Sequence, residues 1–448
     1  MAWFPAPGLA RLAAMTQSAD WMAAARVVRR LGFGATGTQV DAVVASGIDT
    51  YLQRVLTPAP APDRGVDATP APHFGMVARV PRSASAAMRK QVRSERSAQT
   101  KQLVTWWTHR MIAAEVPERE KLTFMWHNHF ATSIAKVGSA AEMLAQNEKL
   151  RTMGLGQFRP LAYTMLTDAA MLRWLDGASN VKGAANENLA REFMELFALG
   201  HGNGYTETDV REGARALTGW RPDNRGGTVL KPTLHDSGTK TVLGVTGDLD
   251  AARFCDAVLD HPTSAGYVAT RVWQHLAGDT PPSAAALTRL TSAYGPDRDL
   301  RGLVAAIVTD PELGNSSGVA SPVQWLIGAT RALQPKPGAA ELKRTTSTLK
   351  TLGQQPFYPP DVGGWPSGQA WLSTAGAETR WNTAMRLARD AQVTTIHDAA
   401  AGERIDAAAH LLGVGGFSDR TVKVMQGSVK NPVTLTAIAL NSPEYLTV

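Results

Sequence analysis

The sequence predicts an all-α protein, a multi-helix globular array interrupted by one small β-hairpin or irregular loop insertion near residues 222–244. Three observations carry that reading. Apolar residues recur at three- and four-residue spacing through most of the chain, and Ser, Thr, Asp or Asn stands before many of those runs while Gly or Pro closes them. Only between Asn224 and Gly244, in GGTVLKPTLHDSGTKTVLG, do β-branched and turn residues replace the helical repeat.

Composition narrows the classes. The 448 residues are 44% hydrophobic and 19% charged, ordinary in the first and low in the second, so helices packed through small residues are expected. The net charge of +7 is small for this length, and the one dense basic run, Arg79 to Lys101, lacks interleaved aromatics. We read that run as a solvated or mobile segment and expect no nucleic acid as partner. Cys255 is the only cysteine and excludes an intramolecular disulfide or a thiolate metal cluster. No run reaches the roughly 18 apolar residues of a membrane span. MAWFPAPGLARLAAM has neither a signal-peptide core nor a twin arginine, so the visible start implies a cytoplasmic protein, and an exported one if the true start lies elsewhere.

The elements follow in order. Ser18 precedes a helix whose Trp21, Ala24, Ala25, Val28 and Leu31 share a face, and Thr38 with Asp41 resembles a capping box for the next. Residues 57–100 read as a linker, first rich in Pro and Ala and then basic. Leu103, Trp106 and Trp107 form an aromatic stripe, and Pro117 opens a helix containing KLTFMWHNHF. There Leu122, Met125, Trp126 and His129 have the spacing of a buried face. His127 lies about 200° from His129, so it is expected to point away, and the pair cannot share one metal. The letters H-N-H do not make the homing-type nuclease motif, whose residues spread over a hairpin and helix.

Asp168 is placed to cap a later helix, and Asn186 to cap NENLAREFMELFALG, residues 186–200. In that stretch Leu189, Phe193, Leu196 and Phe197 take one side, and Glu187, Asn188, Arg191, Glu192 and Glu195 the other. Two four-residue steps let carboxylates of Glu187 and Glu195 grip Arg191 from both sides. Thr206 and Asp209 form a second capping box, for a helix with Val210, Ala214 and Leu217 facing the core. Short helices then resume, and QQPFYPPDVGGWPSGQAWLS, within 353–375, reads as an ordered Pro/Gly/Trp-rich loop.

ARVVRRLGFGAT, FMWHNHFATS, NENLAREFMELFALGHGNGYTETDVREGARALTGW, HDSGTKTVLG, SPVQWLIGATRAL, FYPPDVGGWPSGQAW and ALNSPEYL together resemble the bacterial family catalogued as domain of unknown function 1800. The resemblance spans nearly the whole chain and implies a single helical domain over 1–448, with no agreed activity. Many members are exported and encoded beside proteins similar to the alkaline phosphatase and sulfatase superfamily, which implies a partner of that kind. Matching motif positions include His127, Asn128, His129, Asn186, Glu187, Asn188, Arg191, Glu192, Glu195, Thr218, Trp220, His235, Asp236, Lys240, Gly364, Trp365 and Trp371.

A signature written in His, Asn, Glu, Arg and Asp is costly to bury unless paired, so we expect these blocks to converge on one polar cleft. His129 or His235 would then be the general acid/base, oriented by Glu192 or Glu195, with Asp236 beside them. Arg191 and Lys240 would hold an anionic group, and His127, Asn128, Asn186, Glu187, Asn188, Trp220 and Trp365 would line the substrate site. That describes a hydrolase or transferase acting on an anionic or polyol substrate. A divalent metal on His235, Asp236 and Glu192 is allowed but not favoured, because no tight ligand spacing supports it. The rival reading is a non-enzymatic helical scaffold whose polar groups satisfy one another in a sealed interior.

Overall fold

The computed structural model describes residues 17–57, 62–77, 80–81, 83–223, 226–334, 338–391 and 393–448. The N-terminal stretch read for export, Asn224, and part of the 57–100 segment lie outside them. Helices dominate, and the described strands form two small antiparallel pairs. No described helix is long and apolar enough to cross a membrane.

The Pro117–His129 helix organises the rest. Proline at its first position leaves no N–H to satisfy there, and every residue of the helix except Arg119 and Asn128 is buried. It is wedged between two apolar cores. Leu122, Met125 and Trp126 belong to one, with Phe130, Phe158, Phe197 and Trp273. Phe124 belongs to the other, with Trp107, Trp325, Phe357 and Trp365. A helix covered on both sides must bury its polar residues too, and those residues need partners.

Most have them. Glu118 accepts from the Tyr51 hydroxyl at 2.6 Å. Glu120 accepts from Arg151 and from the Trp107 indole at 2.8 Å, and from Arg110 at 2.9 Å. Burial alone would raise the Glu120 carboxyl, but Arg151 and Arg110 hold it below its ordinary value. Burial on both flanks also corrects the expectation for His127. The rotation between the two histidines is as expected, yet both rings are buried because each flank of the helix meets a core.

Other boundaries follow local chemistry. Ser18, Asp168 and Thr206 cap helices with their side chains, and Asp209 completes the box at Thr206. At the second helix the box is Thr36 with Gln39, not Thr38 with Asp41, so the helix starts at Gly37. Residues 86–100, expected in a linker, belong instead to the 28-residue Ala86–Ala113 helix, which Ser85 caps. The insertion is two hairpins, Trp220–Pro222 with Thr228–Leu230 and Lys240–Val242 with Val245–Gly247. The Pro/Gly/Trp-rich loop is ordered, with one 3₁₀ turn at Gly368–Trp371.

Candidate functional site

The end of the 117–129 helix joins three of the four motif blocks. Asn128 Oδ1 accepts from the Trp365 N–H at 2.7 Å, which pins the GGW loop. Gly364 makes that approach feasible. Its φ is +90°, and a Cβ there would lie 2.3 Å from Asn128 Oδ1. His127 sits among Trp107, Phe357 and Trp365, with ring centroids 5.4 to 5.5 Å away, and Trp365 stacks on Phe124 at 5.2 Å.

His129 turns the other way, toward Trp126, Phe130 and Phe158. Its Nε2 lies 3.0 Å from the Phe197 carbonyl. A carbonyl only accepts, so the ring donates through Nε2–H and leaves Nδ1 bare. His127 Nε2 and His129 Nδ1 have no partner among the described residues. Burial lowers both imidazoles to about 3, with Arg271 adding to the effect at His129, so both are neutral in the folded protein.

The polar face of NENLARE differs from its expected form for one reason. After Asn188–Glu192 the chain widens into a π-helical turn, Phe193–Ala198. An added residue per turn carries Glu195 out of register with Arg191. Glu195 instead meets His201 at 2.6 Å and bonds Tyr205. Arg191 is held by Glu187 at 2.9 Å and, through two nitrogens, by Glu207 at 2.7 and 2.8 Å. The loosened turn also presents carbonyls sideways: Leu196 accepts from the Tyr267 hydroxyl at 2.8 Å, and Phe197 from His129. Half-buried Glu192 is raised above its ordinary value by burial and then by Glu195. Asn186 accepts from the Asn188 N–H at 3.1 Å, and the Asn188 amide reaches Asp176 at 3.3 Å.

The HDSG block forms a separate knot on the Glu207–Ala216 helix. Arg215 bonds Asp236 at 2.9 Å and Glu212 at 2.7 Å, and this hydrogen bonding holds the Asp236 carboxyl at about 2. His235 Nδ1 lies 2.9 Å from the Thr218 carbonyl, and Thr218 Oγ1 accepts from the Asp236 N–H at 2.8 Å. Lys240 is buried and spends its donors on the Gly238 carbonyl and on Asp248. Trp220, half-buried, pairs with Leu230 in the first hairpin. Among the described residues no three His, Cys, Asp or Glu side chains gather as a metal site, so the set of His235, Asp236 and Glu192 is not assembled.

What the sequence reading missed lies on another face of the central helix. Lys121, Phe124, Met125 and Asn128 fall one turn apart and wall a cavity of about 90 Å³. Arg30, His275 and Asp279 line it as well. Lys121 donates to Gln324 Oε1 at 2.9 Å and makes no ion pair among the described residues. Burial, then the charge of Arg30, pulls its amine down to about 7. Burial likewise lowers Arg30 to about 10, and its guanidinium is bound by the Leu276, Ala277 and Ser316 carbonyls while Nε has no partner. His275 lies well below its ordinary value through burial and neighbouring cations, with Nε2 also unpartnered. The available signal was Lys121 seven residues before Asn128, hidden because a lone helical lysine reads as solvated.

The fold and these contacts define a mainly helical protein in which most polar motif residues are held in packed junctions, while a small cavity lined by Lys121, Arg30, His275 and Asp279 lies beside the central helix. A family model described as protein of unknown function (DUF1800) matches residues 26–447, and the chain belongs to that family. No curated protein and no solved structure matches it.

Proposed function

We propose that this chain is a hydrolase or transferase that receives an anionic group of its substrate in the Lys121 cavity. The observation that carries the proposal is a buried amine whose hydrogen-bond partner is a neutral amide, facing a space of about 90 Å³ beside Arg30. A buried amine with no ion-pair partner is costly to charge, and, with Asp279 in the lining not bonded to it, an entering carboxylate, sulfate or phosphate would offset that cost. Lys121 and Arg30 then hold the anion, Asn128 orients it, and His275, neutral with Nε2 unpartnered, is the candidate proton-transfer group. In this reading the chemistry of the cavity replaces the expected cleft of His129, Glu192 and His235. The test is calorimetric titration with phosphate, sulfate and acetate, followed by a panel of chromogenic phosphate, sulfate and carboxylate esters. Binding of one anion and turnover of the matching ester should both vanish in Lys121→Met, and turnover alone in His275→Gln. Unchanged anion binding in Lys121→Met would overturn the assignment.

A second reading is supported by the sealing of His127 and His129 within aromatic shells. On it the chain is a helical partner of a phosphatase- or sulfatase-like protein and shares that protein's compartment, exported where the partner is exported. Co-purification of such a protein from the native source, without ester turnover by the isolated chain, would favour it.

A further inference from the structure

We propose that the groove between the Ala86–Ala113 and Ala339–Thr351 helices binds an acidic polysaccharide chain, at a site separate from the Lys121 cavity. The basic run, expected to be a solvated or mobile segment, is helical from Ala86 onward and builds this groove. Arg93, Arg96 and Lys101 lie three to five residues apart on one face of the first helix, and Lys350 stands across from them on the second. Eight residues separate Arg93 from Lys101, so the positive stripe runs about 12 Å. The groove encloses about 680 Å³ and has no acidic lining residue. Glu95, the acid within the run, faces a different hollow with Lys90.

None of these four cations makes an ion pair with a described residue, and Arg96 Nε is buried without a partner. Three arginines elsewhere show what an answered cation looks like: Arg191, Arg215 and Arg289 each hold two carboxylates. Four unanswered cations in one concave stripe produce a focused positive field that attracts a polyanion. The remaining lining selects the kind. Ser97, Thr100, Thr105 and Thr346 offer hydroxyls and Gln355 an amide, groups that match sugar hydroxyls. Tyr358 is the one aromatic ring in the lining, whereas binding of a single-stranded nucleic acid relies on successive stacking surfaces.

The test uses the full chain and measures affinity for polygalacturonate, dextran sulfate, neutral dextran and single-stranded poly(dT) at several salt concentrations. We expect binding to at least one of the two acidic polysaccharides, weakening as salt rises, and none to neutral dextran. The triple variant Arg93→Gln, Arg96→Gln, Lys350→Gln should bind at least tenfold more weakly while its thermal unfolding stays with the parent's. Lys121→Met should bind the polysaccharide as the parent does, which separates this site from the cavity. Failure to bind either acidic polymer, tighter binding of poly(dT), equal binding of neutral dextran, or undiminished affinity in the triple variant would overturn the proposal.

Discussion

Replacing Lys121 by Met keeps a long unbranched side chain in the same channel and deletes the amine. With an ordinary value of 10.5 and a folded value of about 7, the amine binds its proton more weakly in the folded state. The sign follows directly. The unfolded chain holds more protons across this window, so the group's full stability is present above pH 10.5 and is lost as pH falls toward 7. Between pH 10 and pH 7 the loss is about 3 to 4 kcal/mol. Chemical denaturation of both proteins at unit pH steps measures it, because other titrations cancel in the difference between them. The stability gap should shift in favour of Lys121→Met by that amount as pH drops from 10 to 7, and the parent should recover part of it when an anion that binds the cavity is added. A gap that stays constant with pH would show that the amine is solvated in the folded protein. The enclosed-cation argument would then fail, and the proposed function with it.

The imidazoles give the complementary acid window: His127 has a folded value of about 3 against 6.5, so its stabilisation is present above pH 6.5 and fades as pH falls toward 3. His127→Leu should therefore lose about 3 kcal/mol less than the parent between pH 6.5 and 4, read by denaturation at each pH. Glu120→Ala strands Arg151 and Arg110 at a buried site and should cost about 3 to 5 kcal/mol, visible as a lowered unfolding temperature. Gly364→Ala drives a Cβ into Asn128 at a left-handed backbone position and should cost about 2 kcal/mol or more, with changed Trp fluorescence as the GGW loop detaches. Arg191→Ala, at a half-exposed ion-pair site, should cost less than about 1 kcal/mol.

The difference between what was legible and what was not has a physical pattern. Caps at Ser18, Asp168 and Thr206 were readable because a capping bond involves residues three apart in sequence, and the helical class followed from the same short-range periodicity. Glu195 failed for a reason still local but not spelled by spacing. A π turn depends on whether outside groups, here Tyr267 and His129, are ready to take the carbonyls it releases, and those come from distant segments. His127 and Lys121 failed at longer range again. Facing rules sort residues by the side of a helix they occupy, and they assign the solvent a side. The 117–129 helix has almost none, since two cores cover it, so its buried charged residues are either answered in pairs, as Glu118 and Glu120 are, or left facing a void, as Lys121 is. The residues that spell the recognisable signature are mainly those whose partners the chain itself supplies. A ligand site shows the opposite mark, a buried polar atom whose partner is absent, and that mark is found beside Lys121 rather than along NENLARE.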